Sequence, residues 1–233
     1  SVKWTVNGAS DSYIDMFDAG YFNESNYTIK GIIPGSNWQL KAEIWDGSRT
    51  APTKGSGTSS DPFEISNGSE LAYVIKEGGE GKYYELTKDI YLNDVSKVDW
   101  LTGTPDAGYT PISWYGDWAV TPFNGTINGN GHTVNGIYYE KEPQKEYTSY
   151  YGGVGLFSKV ENLTVKNLAV DNSYIHQEAS VSAFVASTVA EGSFKIDSCY
   201  VGEKVYLKAA TAGALTAYAY KAVNSSITNC YSL

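Results

Sequence analysis

The sequence predicts an all-β protein whose main domain is a parallel β-helix, and two observations lead to this fold class. The first is a repeat of 31 residues, in which a β-branched residue begins a similar segment four times (Val134, Val165, Ile196 and Ile227). The second is composition, because these segments are short runs of Val, Ile and Tyr broken by Gly, Asn and Ser, which is typical of strands and turns. A fixed period of this size indicates stacked structural units.

A β-helix explains the period better than a helical repeat, because the apolar residues do not follow a 3.6-residue spacing. A second segment keeps the same interval, since Ala183–Ala186 recurs as Ala214–Ala217. Coils stacked about 4.8 Å apart place the four β-branched residues in one interior column. The alternative is a β-sandwich with accidental internal similarity.

The first part of the chain differs from the repeats. Residues 10–20 are predicted to form a short helix, and 27–33 and 38–44 to form strands, the latter with alternating apolar residues. A linker rich in Gly, Ser and Thr follows at 50–62. We therefore divide the chain into an N-terminal β-rich flank or cap, 1–54, and a β-helix domain, 55–233. Trp38 and Trp45, on strand patterns, are expected in the core.

The first elements after the linker are a helix and a strand segment. The helix is predicted over 69–79, with one apolar stripe and a Gly78-Gly79 stop. The segment 83–92 is predicted to be strand. Its core residues are expected to be Leu86, Ile90 and Leu92.

The charge of the chain excludes several classes of partner. The net charge is −9 with a single arginine, Arg49, so the chain lacks the basic stripe that nucleic acids require. No run of 18 apolar residues is present, so no membrane insertion is expected. A composition low in charge and rich in Tyr, Asn, Ser, Thr and Gly favours a secreted or cell-surface protein. The abrupt ends of the sequence suggest further domains of the same polypeptide as partners.

The two cysteines, Cys199 and Cys230, fall at the same repeat position. Stacked in adjacent coils they would lie within the Cα separation of a disulfide. Side chains in such a ladder more often stay as two buried thiols, and that is our prediction, with the disulfide as the alternative.

From the linker onwards the order of motifs resembles a known group. In succession the chain has Gly55–Ile65, a capping helix, Tyr84–Leu92, Tyr109–Ile112, Phe123–Val134 and Gly155-Leu156-Phe157. Together these resemble the right-handed parallel β-helix modules of secreted bacterial proteins, the pectin-lyase-like superfold, over roughly residues 55–233. The resemblance implies a right-handed coil with short capping helices. Such modules include adhesins, carbohydrate-binding modules of plant-cell-wall-degrading enzymes, and polysaccharide lyases or hydrolases, so the fold cannot choose among them.

Aromatic residues on inserts are the candidate carbohydrate-binding residues, because an exposed indole or phenol can cover the flat face of a sugar while its polar edge stays wet. The chain has 20 Tyr and 6 Trp, and nothing in the repeat demands rings at these inserts. The candidates are Trp114, Tyr115 and Trp118 in one insert, Trp100 and Tyr109 in the loop before it, and Tyr138, Tyr150 and Tyr151 beside a polar insert at 140–151. The alternative is that these rings form a hydrophobic lid over the coil, or pack down under a solvated loop.

An enzyme finds less support in the sequence. Lyases of the resembling group use Arg or Lys beside a cation, usually calcium, whereas Arg49 lies outside the repeats and no acidic ladder is in register. A hydrolase needs two carboxylates about 5 Å or about 6.5–9.5 Å apart. The repeat offers only Glu140 and Asp171, both at strand ends where solvent-exposed carboxylates are ordinary. His132 is expected to be a hydrogen-bonded turn residue.

The sequence therefore predicts a non-catalytic carbohydrate-binding module for a neutral plant-cell-wall polysaccharide, such as a β-glucan, xyloglucan or another hemicellulose. No catalytic residue and no cofactor are predicted, and calcium binding is left open. The first alternative is a structural or adhesive segment of a bacterial cell-surface protein, and the second is a polysaccharide lyase or glycoside hydrolase.

Overall fold

The computed structural model describes residues 43–115, 121–140 and 153–233, together with two short strands at 4–6 and 38–40. The chain divides into two compact units, Ser1–Glu43 and Ile44–Leu233. In the first unit, β1 (Trp4–Val6) and β2 (Trp38–Leu40) pair antiparallel. The predicted helix at 10–20, the strand at 27–33 and the side chain of Trp38 lie outside the described residues.

The second unit contains one helix and many short strands among its described residues. In chain order they are β3 (Phe63–Ile65), α1 (Gly68–Glu77), β4 (Lys82–Leu86), β5 (Ile90–Tyr91), β6 (Val98–Asp99), β7 (Thr104–Pro105), β8 (Phe123–Asn128), β9 (Thr133–Asn135), β10 (Tyr138–Glu140), β11 (Gly153–Val154), β12 (Phe157–Lys166), β13 (Ala169–Asp171), β14 (Ser173–His176), β15 (Ser180–Ser182), β16 (Val185–Asp197), β17 (Tyr200–Val201), β18 (Val205–Lys208), β19 (Thr211–Gly213), β20 (Thr216–Tyr218), β21 (Ser226–Thr228) and β22 (Tyr231–Ser232).

These strands form four parallel sheets to which the chain returns once per coil. A seven-stranded sheet has the order β3-β4-β8-β12-β16-β20, with β21 also on β16, and a five-stranded sheet has the order β5-β9-β13-β17-β22. Two three-stranded sheets, β10-β14-β18 and β11-β15-β19, complete the three later coils, and β6 and β7 form an antiparallel pair. The predicted all-β class with stacked parallel strands is confirmed at this level.

The interior is filled by columns of apolar side chains from successive coils. Ile127, Val165, Ile196 and Ile227 are in register in the seven-stranded sheet, and the first three are fully buried. The prediction that Val134 heads this column is wrong, because Val134 pairs instead with Val170 in the five-stranded sheet. The coil that contains residues 141–152 is longer than its successors. A uniform 31-residue interval therefore misassigns its strands.

One turn of the coil repeats at the level of backbone angles. A residue just after the seven-stranded sheet is left-handed in four successive coils: Asn167 (φ 52°), Ser198 (φ 53°) and Asn229 (φ 53°) directly follow their strands, and Asn130 (φ 52°) is the second residue after β8. Asn tolerates this conformation because its short polar side chain bonds locally. Three of these four residues belong to the turn position that the sequence repeat predicts. The fourth residue is Asn130, whereas the 31-residue repeat predicts Gly136 at this position.

Helix α1 matches its prediction closely. The side chain of Asn67 caps it by accepting from the Glu70 N–H at 2.9 Å, and Gly78 ends it in a left-handed conformation. Its apolar stripe, Leu71, Val74 and Ile75, is buried in the core, which is the consequence of their spacing on one face. The helix follows β3 in the first coil, where later coils have the strands of the other sheets.

The remaining core predictions can be checked in the second unit. Trp45, Leu86, Ile90 and Leu92 are all buried, as expected. Trp45 belongs to the second compact unit, which begins at Ile44, whereas the sequence predicts that the β-helix domain begins at residue 55. No helix among the described residues is long and apolar enough to cross a membrane.

The cysteines are free thiols, as predicted, but only Cys199 is buried, whereas Cys230 is half-buried. The Cys230 sulfur accepts from the Cys199 N–H at 3.4 Å, so the two residues lie in adjacent coils. Burial raises the pKa of Cys199 to about 12, so its thiol stays protonated at neutral pH and is a poor nucleophile.

Candidate functional site

The outward side of the seven-stranded sheet carries an ordered set of polar side chains, which we call the polar face. Because side chains alternate between the two sides of a strand, the residues between the buried columns point to solvent. One column of the polar face runs across β4, β8, β12, β16 and β21 as Tyr83, Thr126, Thr164, Lys195 and Ser226. Neighbouring members of the column lie about 4.8 Å apart.

A second column of the polar face lies two residues before the first column, on β8, β12 and β16. Asn124, Asn162 and Ser193 are in register, and the Ser193 hydroxyl donates to the Asn162 amide oxygen at 3.0 Å. Together with Tyr83 and Lys195 these residues line a shallow groove of about 220 Å³. Tyr83 is 40% exposed, so part of its ring is open to solvent beside the groove.

A third column lies at the other end of the strands and mixes charges with amides: Glu85, Asn128, Lys166, Asp197 and Thr228. Its side chains bond from coil to coil. The Asp197 carboxylate accepts from the Thr228 hydroxyl at 2.7 Å and from the Asn229 amide at 2.8 Å. These hydrogen bonds stabilise the ionised form and hold the pKa of Asp197 below its ordinary value.

The polar face is rich in uncharged groups that form hydrogen bonds. Hydroxyl and amide groups donate and accept hydrogen bonds without a charge, and an exposed phenol covers an apolar ring face. The groove has one charged lining residue, Lys195, so it offers no pair of carboxylates for acid and base. In the part of the chain that the structure describes, no group of three or more His, Cys, Asp and Glu residues could hold a metal ion.

The sequence predicts exposed rings at the candidate carbohydrate-binding residues Trp114 and Tyr115. The prediction of exposure is wrong. Trp114 is fully buried, and its ring contacts that of Trp45 edge-on at 5.5 Å. The Tyr115 hydroxyl donates to the Leu156 carbonyl at 2.9 Å and accepts from the Ser158 N–H at 2.9 Å. Burial raises the pKa of Tyr115 above its ordinary value. Trp114 and Tyr115 thus belong to the hydrophobic core of the second unit.

The loop residues Trp100 and Tyr109 come together with Tyr138, but in a packed cluster. Trp100 is buried and donates from its indole nitrogen to the Val95 carbonyl at 3.0 Å. The Tyr109 hydroxyl donates to Asn93 Oδ1 at 3.1 Å, and that of Tyr138 to the Gly103 carbonyl at 3.2 Å. Trp100 is therefore not an exposed platform, and Tyr109 and Tyr138 are half-buried.

This cluster covers a ladder of tyrosines on the three-stranded sheet β10-β14-β18. The rings of Tyr138, Tyr174 and Tyr206 stack with centroids 5.7 and 5.3 Å apart. Trp100 packs against Tyr174 in the same cluster. The loop that carries Trp100 and Tyr109 therefore forms a hydrophobic lid, which is the alternative that the sequence left open. The candidates Trp118, Tyr150 and Tyr151 lie outside the described residues.

Glu140 and Asp171, the two carboxylates that the repeat suggests as a pair, do not lie in register. Glu140 is in register with His176, and its carboxylate contacts His176 Nδ1 at 2.7 Å. Asp171 is in register with Asn135 in a different sheet, so the 31-residue interval again fails across the longer coil. His132 behaves as predicted, since its Nδ1 lies 3.3 Å from Asp89 Oδ1 in the turn.

The exposed aromatic residues of the described part of the chain are not among the predicted binding residues. They are Tyr83, Tyr218, Tyr220 and Tyr231. Strand alternation gives a signal for Tyr83, because it neighbours the inward Tyr84 and must therefore point outward. The other three belong to the last coil, where the same repeat positions are less covered.

Comparison with known proteins gives distant and partial matches. The chain is 28% identical over 122 residues to halomucin of Haloquadratum walsbyi, covering 52% of this chain and 1% of that protein. It is 33% identical over 134 residues to a protein of Evansella cellulosilytica described as a Gly-rich membrane protein, covering 58% of this chain and 14% of that protein. The chain thus spans a small part of these relatives. No family model matches, and no solved structure matches.

Proposed function

We propose that the second unit is a right-handed parallel β-helix of the pectin-lyase-like kind. The support is the return of the chain to the seven- and five-stranded parallel sheets in successive coils, joined in the three later coils by two further parallel sheets. Right-handed crossover between parallel strands is the rule in proteins, because the twist of the strands favours it. Helix α1 would serve as the cap of the first coil.

The function that we propose for this module is non-catalytic binding of a neutral plant-cell-wall glycan, such as a β-glucan or xyloglucan, on the polar face. The observation that carries the proposal is the in-register hydroxyl and amide ladder beside the half-exposed ring of Tyr83. A glycan offers regularly spaced hydroxyl groups, which a ladder with a regular repeat can meet with hydrogen bonds. The Tyr83 ring would stack on the apolar face of a sugar.

The electrostatics support a neutral glycan over a charged one. The net charge of −9 repels polyanions at long range. The groove contains a lysine and no carboxylate, which disfavours a cationic ligand. Uncharged hydroxyl, amide and phenol groups are left as the main means of recognition.

A secreted or cell-surface location fits this function. The names of the two relatives, a mucin and a membrane protein, agree with such a location for the proteins that carry them. We extend the location to this chain as part of the proposal. Bound glycan would then attach the parent protein to a cell wall or to an extracellular matrix.

Affinity electrophoresis of the whole chain through gels that contain single neutral glycans tests the function. We expect retardation by at least one of β-glucan, xyloglucan and xylan. Tyr83→Ala should weaken that binding about tenfold, which is the size of a central aromatic contact. Leu101→Ala is the matched control, because Leu101 is exposed at 56% outside the groove and should leave the retardation unchanged.

The second candidate is a structural or adhesive segment of a bacterial surface protein without a glycan ligand. It is favoured by the burial of Trp114, Tyr115 and Trp100, which removes the platforms expected from the sequence. Absence of retardation on every glycan would support this candidate and refute the binding proposal. Release of reducing or unsaturated sugars from any glycan would instead show an enzyme.

A further inference from the structure

A second concavity lies at the corner between the seven-stranded and the five-stranded sheet, and we call it the corner crevice. It has a volume of about 150 Å³ and is lined by Gly131, Asn167, Leu168, Ala169, Ser198 and Tyr200. Leu168 and Ala169 are buried and form its floor, whereas the turn residues at its rim are exposed. None of the lining residues carries a charge, so the corner crevice is suited to a neutral ligand.

Tyr200 supplies an aromatic surface to the corner crevice. Its backbone is in register with Tyr231 on one side and with Ala169 on the other. The rings of Tyr200 and Tyr231 stack nearly parallel, with centroids 5.3 Å apart. Ala169 is too small to cover the other face of the Tyr200 ring, whereas Tyr174 in its own ladder has a stacked tyrosine on both sides. The half-buried ring of Tyr200 is therefore open to a ligand on the side of the crevice.

The corner crevice adjoins the polar face. The Asn167 amide donates to Asn128 Oδ1 at 3.0 Å, and Asn128 belongs to the third column of that face. Ser198 directly follows Asp197, another member of the third column. Thr164 of the first column lies three residues before Asn167, which is about 10 Å along an extended strand. A sugar in the crevice is thus within reach of a glycan chain on the polar face.

We propose that the corner crevice is a second subsite of the glycan site, and that it holds a sugar that branches from a backbone lying on the polar face. The inference rests on the proposed function and names its substrate class, a neutral branched glycan such as xyloglucan, whose glucan backbone carries xylose side chains. The Tyr200 ring covers the apolar face of the branch sugar. The Asn167 amide and the Ser198 hydroxyl at the rim can bond to its hydroxyl groups.

The size of the corner crevice agrees with a single sugar. Sites for drug-sized ligands have volumes of about 300–1,000 Å³, and the crevice is smaller than these. A glycan backbone does not fit in so small a space. The polar face, which crosses several coils, is the surface for the backbone.

Affinity electrophoresis of the whole chain through a branched and an unbranched glycan tests the proposal. Xyloglucan is the branched probe, and mixed-linkage β-glucan, which has no branches, is the unbranched one. We expect the wild type to bind xyloglucan more tightly than β-glucan. Tyr200→Ala should raise the dissociation constant for xyloglucan about tenfold, because the branch sugar loses its aromatic contact, and should leave that for β-glucan unchanged. Tyr200→Phe keeps the ring and should retain the binding of xyloglucan.

Two further variants separate loss of the ring from loss of the fold. Tyr200→Leu keeps apolar bulk against Tyr231 but has no flat ring, so it should weaken xyloglucan binding as Tyr200→Ala does. Tyr220→Ala is the matched control, because Tyr220 is also a stacked tyrosine, 41% exposed, and lines neither the groove nor the corner crevice. It should leave both affinities unchanged. Circular dichroism checks that each variant is folded.

The outcomes distinguish a failure of the corner crevice from a failure of the proposed function. Tyr83→Ala, on the polar face, should weaken the binding of both glycans. If folded Tyr200→Ala and Tyr200→Leu leave xyloglucan binding unchanged, or weaken both glycans equally, the crevice is not a branch subsite, although the polar face still binds glycan. Retardation of the wild type by neither glycan would overturn both proposals.

Discussion

The hydroxyl of Tyr115 shows how a polar group becomes part of the core in this protein. It bonds to the Leu156 carbonyl and to the Ser158 N–H, both on the next coil. A buried backbone group without a partner is costly, so the phenol satisfies two of them at once. The ring that the sequence suggested for ligand binding thus stabilises the fold.

Removing this hydroxyl tests its role. Tyr115→Phe should lower the free energy of unfolding by about 1–3 kcal/mol, because the Ser158 N–H loses its acceptor and the Leu156 carbonyl keeps only the longer hydrogen bond from the Trp114 indole N–H at 3.4 Å. The measurement is equilibrium denaturation by urea. Tyr83→Phe is the matched control, since Tyr83 is exposed, and should change stability by less than about 0.5 kcal/mol. Equal effects of the two variants would contradict the assignment.

Asp197 links the last two coils through its carboxylate. Because the folded state holds the pKa of Asp197 below the ordinary 3.8, the folded state favours the ionised form. The hydrogen bonds to Thr228 and Asn229 therefore contribute full stability above that ordinary value. The contribution disappears as the pH falls through the lowered pKa.

Asp197→Asn should reduce the acid sensitivity of the protein. The amide keeps one oxygen as acceptor but does not titrate, so the variant should lose less stability than the wild type as pH falls from about 5 to about 2. Thermal unfolding measured across this range is the check. Parallel acid profiles for the two proteins would show that this carboxylate carries no stability.

At the scale of elements, the short strands are stable because each coil covers the previous one. A strand of two or three residues cannot bury a hydrophobic face by itself, so the columns make neighbouring coils mutually dependent. The left-handed Asn and Ser residues turn the chain at the same point each time. Helix α1 completes the first coil with its own apolar stripe.

The column that contains Ile196 and Ile227 gives a matched comparison of buried and exposed positions. Ile196→Ala should cost about 2–5 kcal/mol, because a fully buried site loses both apolar contacts and packing. Ile227→Ala should cost well under half as much, since Ile227 is 42% exposed. Urea denaturation of both variants provides the values. A larger loss for Ile227→Ala would contradict the burial gradient along the column.

At the scale of the whole molecule, the second unit is a stack of coils that share parallel sheets. The polar face runs across five strands of the seven-stranded sheet, so the proposed glycan site extends over several coils. A glycan chain bound along it would contact several coils at once.

Local patterns were predictable from the sequence, whereas some pairings between coils were not. The capped helix, the buried residues of 82–92 and the columns after Val165 were predictable, because each depends on local spacing. The partner of Val134 and the separation of Glu140 from Asp171 were not. Those pairings depend on how many residues one coil contains, and an insertion changes that number without changing the local pattern.

By itself, the sequence determined that the chain forms short strands in repeating coils, with a helix at the start, because strand alternation, turn residues and capping residues act within a few positions. Only the tertiary structure decided which rings on the inserts and loops are buried. Trp114 lies in polar, Gly-rich surroundings in the sequence, yet its ring is fully buried against Trp45. That burial depends on packing between segments distant in the chain, which local sequence does not encode.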